Sequence, residues 1–515
     1  MSTTLWHRFQ TTATARGAAV ALLHGERSVT FAELLGLAGG WAKKLDLSPG
    51  DRVVVSGRNS IELAAAVPGI WAHGAIPVFV HAEAPDRHLF HALQQTTAAK
   101  ALLDAARDLG DFAAGVAVLP MQAELSAHVT HQVPEQTGLA PGSIVYTSGS
   151  TGAPKGVVQA AQTLASGVDR VAAAIGFRPD DSILCPIPFA FDYGWGQLLS
   201  LLLAGLPLVL PEPRSAIGLC AAISAHRPTI LAGVPAVFAD LLAGIAPIRE
   251  IDRSSIRLIT NTGSRIPAPV REGLIELFPK AALSLNYGLT ETYRSATLPL
   301  SMADSHPSSV GFALHGSRLS VLRSDGTEAA AGEEGEIVHH GAGAFLGYWG
   351  DPVRTAEVLR PDPLWPEKDV PDPQAAAPMA VFTGDLGHKD EDGLLYIHGR
   401  RDRQMKSMGV RVSPDEIEKL LLESQALREV AVVARPNDML GDLIVAVLCL
   451  PVGADQATTL KNIKRHARET MSPYMQPRDY VVMKDLPRNH NGKVDYPGLV
   501  KLVITPATGQ KVEHG

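Results

Sequence analysis

A loop rich in hydroxyl groups and glycines carries the clearest chemistry in this sequence. Its residues are Thr147, Ser148, Gly149, Ser150, Thr151 and Gly152. It follows the apolar pair Ile144-Val145 and precedes Pro154-Lys155-Gly156. Backbone N–H groups and hydroxyls of such a flexible segment can surround phosphate oxygens, and the lysine adds a positive charge. No Gly-Lys-Ser/Thr follows at P-loop spacing, so we expect a phosphate-binding loop of another kind. The alternative is an ordinary Ser/Gly-rich surface turn.

Further motifs follow this loop in a fixed order. They are Asn-Tyr-Gly-Leu-Thr-Glu from Asn286, Thr-Gly-Asp from Thr383, Tyr-Ile-His-Gly-Arg-Arg-Asp from Tyr396, Gly-Val-Arg-Val-Ser-Pro-Asp-Glu-Ile-Glu from Gly409, and Pro-Arg-Asn-His-Asn-Gly-Lys from Pro487. Together they resemble the adenylate-forming superfamily, which includes acyl-CoA synthetases, adenylation domains of nonribosomal peptide synthesis and luciferases. The resemblance covers residues 25–500 in order and spacing. It is specific for the superfamily and much less so for the substrate.

The resemblance implies an enzyme that activates a carboxylic acid with ATP and Mg²⁺. A carboxylate is a poor electrophile because its leaving group would be oxide. Transfer of AMP makes an acyl-adenylate, whose leaving group is good, and pyrophosphate departs. Negative charge grows on the phosphoryl oxygens, so fixed cations and N–H dipoles aimed there stabilise the transition state.

By the same resemblance, the loop at 147–152 and Lys155 would hold the β- and γ-phosphates. Tyr287 would lie against the adenine face, and Thr290 would bond the α-phosphate. Glu291 would coordinate Mg²⁺, which takes few carboxylates and keeps several waters. The alternative for Glu291 is a first-turn carboxylate that is favoured by a helix dipole.

The C-terminal motifs imply the remaining contacts. Asp385 would accept from the ribose hydroxyls, unless it is an ordinary turn residue, and Arg400 would lie near ribose or phosphate. Lys493 would bridge the substrate carboxylate and the α-phosphate, so we expect Lys493, Thr290 and Glu291 to be the catalytic residues. Residues 399–403, with Asp402, would be a hinge, or else a plain linker. Gly409 would line a tunnel for a pantetheine thiol, where a side chain would obstruct the approach.

The pair Phe191-Asp192 bears on the substrate. Amino-acid-activating members of the superfamily often have this pair, and their aspartate binds the substrate ammonium. An ammonium in a partly dry pocket needs a nearby carboxylate to offset its desolvation. The alternative is that Asp192 caps a helix beginning near Tyr193 and never touches the substrate.

Matching other pocket segments of the family gives a set that is polar for an acyl-chain tunnel. Its members are Phe191, Asp192, Tyr193, Ala232, Ile259, Asn261, Asn286, Arg294 and Ser295. Arg294 could bind a second carboxylate or a polar group of the substrate, or it could pair with a carboxylate of the protein. The segment Asn261-Thr262-Gly263-Ser264 departs from the glycine-rich texture usual at this point in the family.

Composition excludes several other classes of protein. Hydrophobic content of 46% with 19% charged residues is that of a globular protein, and a net charge of −7 makes nucleic acid an unexpected partner. The longest apolar run, Leu198–Leu210, is too short to span a bilayer and predicts a buried helix that leads into a strand. Cys185, Cys220 and Cys449 have no metal-type spacing, so we expect buried thiols. With no signal-peptide pattern at the N-terminus, a cytoplasmic location is expected.

Short β-rich runs alternate with Ala/Leu-rich helical stretches, which predicts an α/β fold. We expect a large N-terminal domain of layered α/β subdomains plus a β subdomain, and then a small mobile α+β C-terminal domain. The expected bounds are 1–398 for the nucleotide- and acid-binding core, 399–403 for the hinge, and 404–515 for the domain with Lys493. No carrier-type segment with a modifiable serine follows Lys493, so a stand-alone enzyme is expected.

The leading functional hypothesis is activation of a small polar acid, an amino acid by expectation, and its transfer to the thiol of a separate phosphopantetheinylated carrier protein. The nearest alternative is an acyl-CoA ligase for a non-amino acid, for which Arg411-Val412-Ser413-Pro414 is somewhat more typical. An oxidase of the luciferase type and a non-catalytic nucleotide binder are further alternatives. A pure binder would have no use for a bridging lysine such as Lys493.

Overall fold

The computed structural model describes most of the 515-residue chain. The described residues are 4–84, 86–104, 116–121, 139–147, 154–244, 246–263, 265–364, 378–403, 405–407, 410–437, 441–471, 475–489 and 492–504. The chain divides into two compact units. The first is Met1–Ser320 with Val338–Thr383, and the second is Val321–Ile337 with Gly384–Gly515.

Helices and strands alternate through most of the first unit. Its helices are α1 Leu5–Arg16, α2 Phe31–Leu45, α3 Ile61–Trp71, α4 Asp86–Gln95, α5 Ala161–Ile175, α6 Asp192–Ala204, α7 Ala216–His226, α8 Pro235–Leu242, α9 Ala268–Leu277 and α10 Pro352–Val358. Its strands are β1 Val20–His24, β2 Arg27–Thr30, β3 Arg52–Ser56, β4 Ile76–Phe79, β5 Lys100–Leu103, β6 Ala117–Pro120, β7 Pro141–Thr147, β8 Lys155–Ala160, β9 Ile183–Leu184, β10 Leu208–Leu210, β11 Ile230–Gly233, β12 Leu258–Asn261, β13 Ala282–Tyr287, β14 Ala296–Thr297, β15 Ser309–Ala313, β18 Gly347–Tyr348 and β19 Leu359–Pro361. Strands β16 Ser317–Leu322, β17 Gly335–Gly341 and β20 Met379–Lys389 contain residues of both units.

Two sheets organise the first unit. One has parallel neighbours in the order β13-β12-β11-β9-β10-β1. The other runs β18-β8-β7-β4-β3-β5-β6, with β7 and β8 antiparallel. The main core contains the fully buried rings of Trp6, Trp41 and Trp195. In open α/β sheets ligands bind beyond the carboxyl ends of the parallel strands, so the ends of β11, β12 and β13 are where a ligand site is expected.

Several elements follow their sequence patterns closely. The run Leu198–Leu210 forms the end of the buried helix α6 and then β10, as its apolar composition predicts. Helix α2 begins with a capping box in which Thr30 accepts from the Glu33 N–H and Glu33 accepts from the Thr30 N–H. Cys185, Cys220 and Cys449 are buried free thiols, as predicted. No helix within the described ranges is long and apolar enough to cross a membrane.

The second unit is built on a sheet of β22, β23, β24, β25 and β26. Its elements are β21 Leu395–Arg400, β22 Met405–Ser407, β23 Val410–Val412, α11 Pro414–Leu422, β24 Glu429–Asn437, β25 Gly441–Cys449, α12 Gln456–Thr470, β26 Asp479–Val482 and α13 Tyr496–Ile504. Strands β24 and β25 are antiparallel, and β26 joins β25 in parallel. Apolar side chains such as Ile417, Ile444 and Ile463 form its core. The expected bounds, with a core that ends at 398 and a mobile domain that begins at 404, remain a prediction about which part of the chain moves.

A buried ionic cluster fixes α11 and α13 to the start of this sheet. Arg403 pairs with Asp415 and Glu418, and its guanidinium lies over the ring of Tyr496. The Tyr496 hydroxyl donates to Glu418 Oε1 at 3.1 Å. Burial raises the pKa of Glu418, and Arg403 opposes that shift. Because Tyr496 opens α13 only three residues after Lys493, the cluster also restrains the segment that carries this lysine.

Candidate active site

Lys155, Glu291 and Tyr348 form a compact polar cluster in the first unit. Lys155 is the first residue of β8, and Tyr348 lies on β18, which pairs with β8. Lys155 Nζ is 2.7 Å from Glu291 Oε1 and 2.7 Å from Tyr348 Oη. Tyr348 Oη in turn donates to Glu291 Oε1 at 2.7 Å. The cluster therefore joins the lysine after the hydroxyl-rich loop to the acidic residue of the Asn-Tyr-Gly-Leu-Thr-Glu motif.

Glu291 is a buried but ionised carboxylate. Burial acts to raise its pKa, yet the charge of Lys155 and the hydrogen bonds from Lys155 and Tyr348 outweigh burial, so the pKa lies below its ordinary value. Mg²⁺ in nucleotide-dependent enzymes is held by one or two carboxylates together with substrate phosphates. The part of the chain that the structure describes holds no cluster of three or more His, Cys, Asp or Glu side chains suited to a metal. A single ionised Glu291 therefore fits Mg²⁺ only if the triphosphate supplies the other ligands.

Thr147 ends β7 directly opposite Lys155 in the β7–β8 pair. Its Oγ1 is buried and has no hydrogen-bond partner among the described residues. An unsatisfied buried hydroxyl costs free energy, so this oxygen is available to a ligand that reaches the end of the strand. Ser148, Gly149, Ser150, Thr151 and Gly152, which complete the predicted phosphate loop, lie outside the described residues.

The segment from Tyr287 to Ser295 is held from behind by a hydrogen-bond network. Thr290 and Glu291 lie in a short 3₁₀ helix, Thr290–Thr292, which follows the carboxyl end of β13. The hydroxyls of Ser295 and Thr292 are 2.8 Å apart, and Ser295 Oγ is 3.1 Å from His339 Nδ1. Burial lowers the pKa of His339 to about 4, so the imidazole is neutral and its Nε2–H donates to the Ala342 carbonyl.

Gln159 connects this segment to the predicted acid-binding pocket. It lies on β8 and is 1% exposed. Its Oε1 accepts from Ser143 Oγ at 3.0 Å and from Trp195 Nε1 at 3.1 Å. Its Nε2 donates to the Thr290 carbonyl at 3.1 Å and to Asp192 Oδ1 at 3.3 Å. The amide nitrogen therefore links Asp192 to Thr290, while Ser143 and Trp195 hold the amide oxygen in place.

Helix α6 begins at Asp192, not at Tyr193 as the capping alternative required. Phe191 occupies the N-cap position without a side-chain cap bond, and Asp192 is the first helical residue. A carboxylate in the first turn is favoured by the helix dipole. The Phe191 ring stacks on His81 with centroids 4.6 Å apart. Asp192 is therefore positioned by the helix start and by Gln159.

The predicted pocket residues divide between two faces of the parallel sheet. Ala232 is in register with Thr260, whereas Ile259 is in register with Leu231. Side chains alternate along a strand, so Ile259 and Asn261 point to the face opposite that of Ala232. The structure thus does not bring all the predicted pocket residues to one wall.

Two polar members of that predicted set have their hydrogen bonds satisfied inside the protein. Asn286 Nδ2 donates to the Asn261 carbonyl at 2.9 Å, and Asn286 Oδ1 accepts from Thr297 Oγ1 at 2.8 Å. Ser295 is 0% exposed and bonds within the His339 network. These two residues shape the site rather than offer donors to a substrate.

Arg294 and Tyr193 lie together beside the end of β12. The Tyr193 hydroxyl donates to the Thr260 carbonyl at 2.8 Å, and burial raises the pKa of this phenol to about 12, so it stays protonated. The Arg294 guanidinium carbon is 5.5 Å from the centroid of the Tyr193 ring. Arg294 is 6% exposed, and its Nη1 has no hydrogen-bond partner among the described residues.

In the second unit, Asp385 and Arg400 face each other across the β20–β21 pair. Arg400 Nη1 is 3.1 Å from Asp385 Oδ1. Gly384 has a φ of +72°, and a Cβ there would lie 2.9 Å from Arg400 Nη2, so glycine permits this close approach. Its N–H donates to Glu336, which also pairs with Arg401 at 2.7 Å. Asp385 and Arg400, the two residues predicted to lie near the ribose, therefore form an ion pair beside a turn that Glu336 stabilises.

Lys493 is exposed at the end of a tight loop. The Asn489 N–H donates to the Lys493 carbonyl at 2.8 Å, and the Lys493 N–H donates to Asn489 Oδ1 at 3.1 Å. Arg488 anchors the loop by donating to the Gly492 carbonyl and to Glu429. Asp402 lies in a short 3₁₀ helix, Arg401–Arg403. Gly409, the predicted tunnel residue, lies outside the described residues.

Sequence reasoning missed Gln159, His339 and Tyr348. Gln159 left a signal, because it is a polar residue within the otherwise apolar strand Lys155–Ala160. His339 and Tyr348 gave no signal in the sequence, since each forms hydrogen bonds with residues far away along the chain. Tyr348 is separated from Lys155 by 193 positions, and only the fold brings them together.

Comparison with known proteins agrees with this geometry. The family of AMP-binding enzymes matches residues 9–349, and the AMP-binding enzyme C-terminal domain matches residues 416–493. The chain belongs to the AMP-binding enzyme family. The prediction of an adenylate-forming enzyme is thus confirmed, and with it the class of AMP-forming ligases.

Relatives of this AMP-binding enzyme have different substrates and sizes. It is 29% identical to the 2-succinylbenzoate–CoA ligase of Geobacillus kaustophilus, over 95% of this chain and 96% of the relative. It is also 29% identical to tyrocidine synthase 3 of Brevibacillus parabrevis over 95% of this chain, but it spans only 7% of that protein. It spans 59% of the long-chain-fatty-acid–CoA ligase of Bacillus subtilis, with 28% identity over 68% of this chain.

Solved structures support the fold and the nucleotide. The o-succinylbenzoate coenzyme A synthetase of Bacillus subtilis, in complex with ATP and magnesium ion, has a TM-score of 0.81 and 25% identity, covering 96% of this chain and 98% of that one. ATP-bound MatB from Rhodopseudomonas palustris has a TM-score of 0.87 at 24% identity, covering 98% and 99%. The predicted α/β fold with a large N-terminal and a smaller C-terminal domain is confirmed, as are ATP and Mg²⁺.

Proposed function

We propose that this AMP-binding enzyme activates a small polar carboxylic acid with ATP and transfers the acyl group to a pantetheine thiol. In the first half-reaction a carboxylate oxygen of the acid bonds to the α-phosphorus, while the bond from that phosphorus to the pyrophosphate oxygen breaks. In the second, a thiolate attacks the acyl carbon and AMP leaves. The observation that carries the proposal is the ionised Glu291 held between Lys155 and Tyr348 at the base of the hydroxyl-rich loop.

The cluster gives each residue a role when the nucleotide binds. Lys155 and the Thr147 hydroxyl would contact phosphate oxygens, and Thr290 would bond the α-phosphate. Mg²⁺, held by Glu291, would offset charge on the transferring phosphoryl group. Lys155 would then exchange a carboxylate partner for phosphates, so the lysine stays paired throughout.

The remaining nucleotide contacts would come from Tyr287 in the first unit and from Asp385, Arg400 and Lys493 in the second. Tyr287, 7% exposed at the end of β13, would lie against the adenine. Asp385 would accept from the ribose hydroxyls while its carboxylate stays paired with Arg400. Lys493 would bridge the acid and the α-phosphate after a rotation about Asp402, and the segment at Gly409 would serve the thiol step.

The acid would be an amino acid, with Asp192 binding its ammonium. Support comes from the position of Asp192 at the start of α6, where Gln159 fixes its carboxylate. The acceptor would be the phosphopantetheine of a separate carrier protein. An acyl-CoA ligase is the second candidate, and it is favoured by the match with a CoA ligase over nearly the whole length of both chains.

An acid-dependent ATP–pyrophosphate exchange screen tests the first half-reaction. Purified protein should exchange label with a small set of polar acids and only with Mg²⁺ present. Offering CoA or a phosphopantetheinylated carrier protein with the best acid then identifies the acceptor. Exchange that does not depend on any carboxylic acid would contradict the proposal.

A further inference from the structure

Arg294 is a buried cation on the segment that follows β13. None of the ion pairs among the described residues includes Arg294, and its Nη1 is buried without a hydrogen-bond partner among them. Two other guanidiniums that point inward have carboxylate partners: Arg257 bonds Asp181, and Arg403 bonds Asp415 and Glu418. The buried Arg170 instead donates to the Ala342 carbonyl, and its Nε and Nη2 have no partner among the described residues. Within the described residues, Arg294 therefore has no carboxylate partner of the kind that this alternative requires.

An unpaired cation at this depth is costly. Removing a charge from water carries a penalty of several kcal/mol, by order of magnitude, which a nearby opposite charge must offset. The Tyr193 ring, at 5.5 Å from the guanidinium carbon, offers only a weak cation–π contact. A negatively charged group of a ligand would offset this cost.

Arg294 lies near strand ends at which a ligand is expected to bind. It follows the Thr290–Thr292 helix on the segment that leaves the carboxyl end of β13. Tyr193, its neighbour, reaches the Thr260 carbonyl next to the end of β12. Ligands of open α/β sheets bind beyond these strand ends.

The backbone around Arg294 is held firmly in place. Tyr293 has a φ of +56°, a conformation unfavourable for a residue with a side chain. A Cβ on Gly167 would come within 2.6 Å of the Tyr293 ring, so glycine at 167 lets the ring pack there. The Ser295 hydroxyl bonds to the His339 network on the other side. Arg294 is therefore presented in a fixed position, as a specificity group needs to be.

Other polar candidates in the pocket cannot take the same role. Asn286 and Ser295 spend their hydrogen bonds within the protein, and the Tyr193 hydroxyl donates to a carbonyl. Compared with Asn286, Ser295 and Tyr193, Arg294 keeps a hydrogen-bond donor, its Nη1, that has no partner among the described residues. Its planar fork suits a carboxylate, to which it can donate two parallel bonds.

We propose that Arg294 binds a second carboxylate of the acid substrate, so that the enzyme activates dicarboxylic acids, with or without an amino group. This inference rests on the proposed function, since it concerns the acid of that same site. Arg294 would not touch the reacting carboxylate; it selects the substrate by holding the far end of the molecule.

Isosteric pairs of acids test the proposal. Each pair has a free carboxylate or its carboxamide at the far end: succinate and succinamate, glutarate and glutaramate, phthalate and phthalamate, aspartate and asparagine, glutamate and glutamine. ATP–pyrophosphate exchange is measured for wild type, Arg294→Met and Arg294→Lys. Wild type should prefer the diacid of at least one pair by about 10²-fold in kcat/KM, as expected for a buried charge pair. Arg294→Met should lose that preference, and Arg294→Lys should keep only part of it.

A matched control separates recognition from stability. Arg170 is also a buried guanidinium, but it donates to the Ala342 carbonyl at 3.1 Å, and Arg170→Met should affect both members of each pair equally. The melting temperature of Arg294→Met without substrate should equal or exceed that of wild type, because an unpaired buried charge has been removed. Preference for the amides in wild type, an unchanged diacid preference in Arg294→Met, or equal loss for both members with a lowered melting temperature would each overturn the inference. Absence of exchange with every acid would overturn the proposed activation itself.

Discussion

Lys155 and Glu291 form an ion pair of 2.7 Å between the lysine that follows the hydroxyl-rich loop and the carboxylate suited to Mg²⁺. Both side chains are largely buried, at 23% and 10% exposed. Tyr348 bonds both of them. In the nucleotide complex, Lys155 would bind the negative phosphates and Glu291 the positive Mg²⁺. Paired with each other, the two side chains neutralise their charges, so neither charge is buried alone.

The ion pair predicts non-additive mutants. Lys155→Met should destabilise the protein by roughly 2–4 kcal/mol, because it leaves the Glu291 charge buried without its partner. Glu291→Gln in the same background should recover part of that loss. Urea denaturation of the two single variants and the double variant measures the coupling. Strictly additive losses would show that the pair contributes nothing, and all three variants should lose pyrophosphate exchange.

The buried imidazole of His339 predicts an acid-sensitive fold. Its pKa is lowered from 6.5 to about 4 by burial, so the unfolded chain binds a proton more readily than the folded one between these values. Stability should therefore fall as the pH drops through that window, with His339 contributing roughly 2 kcal/mol of the loss between pH 7 and pH 5.

Thermal melts of His339→Gln at both pH values test this expectation. The variant should show a smaller drop in melting temperature on acidification than wild type. His315, an exposed histidine, supplies the matched control, and His315→Gln should behave as wild type. An equal drop in all three proteins would mean that His339 doesn't account for the acid sensitivity.

Much of the fold was accessible from the sequence, because local patterns agreed with the final packing. Ala/Leu-rich stretches form helices such as α2 and α3, and Leu198–Leu210 forms a helix and then a strand, as predicted. The family resemblance likewise predicted that Lys155 and Glu291 belong to one site.

The pocket was less predictable, because it depends on the register between strands and on which partners the buried side chains hydrogen-bond. Ile259 and Ala232 look alike in sequence, yet one register places them on opposite faces. Asn286 looks like a substrate contact until its partners Thr297 and Asn261 are seen. No local pattern carries that information, since each bond joins residues from different strands.

Lys493 should matter to the first half-reaction alone. If it bridges the acid and the α-phosphate, Lys493→Ala should lose on the order of 10²-fold in adenylate formation, as for other single transition-state contacts. Thioester formation from supplied acyl-adenylate should survive. Because the side chain is exposed and its loop is held by backbone bonds from Asn489, the melting temperature should not change. Normal pyrophosphate exchange in the variant would reject the assignment.

Asp192 should distinguish amino acids from their des-amino analogues. Gln159 donates one amide N–H to this carboxylate at 3.3 Å, and a substrate ammonium would bring a positive charge to the same half-buried group. Losing one side of such a pair should cost roughly 2–5 kcal/mol in binding or transition-state stabilisation. Asp192→Asn should therefore depress exchange with an amino acid about 30-fold or more, by the lower end of that range, and leave the matching plain acid nearly unaffected.

Gln159→Glu supplies the companion variant. It would place a second carboxylate beside Asp192, where the two negative charges repel and one must take up a proton. Gln159 also donates to the Thr290 carbonyl, so Gln159→Glu should slow exchange with both kinds of acid. If Asp192 binds an ammonium, the pH dependence of exchange should shift more for amino acids than for plain acids. Wild-type preference for the plain acid, or equal loss of both substrates in Asp192→Asn, would exclude ammonium recognition and leave the acyl-CoA ligase as the function, with Arg294 as the polar group that selects its acid.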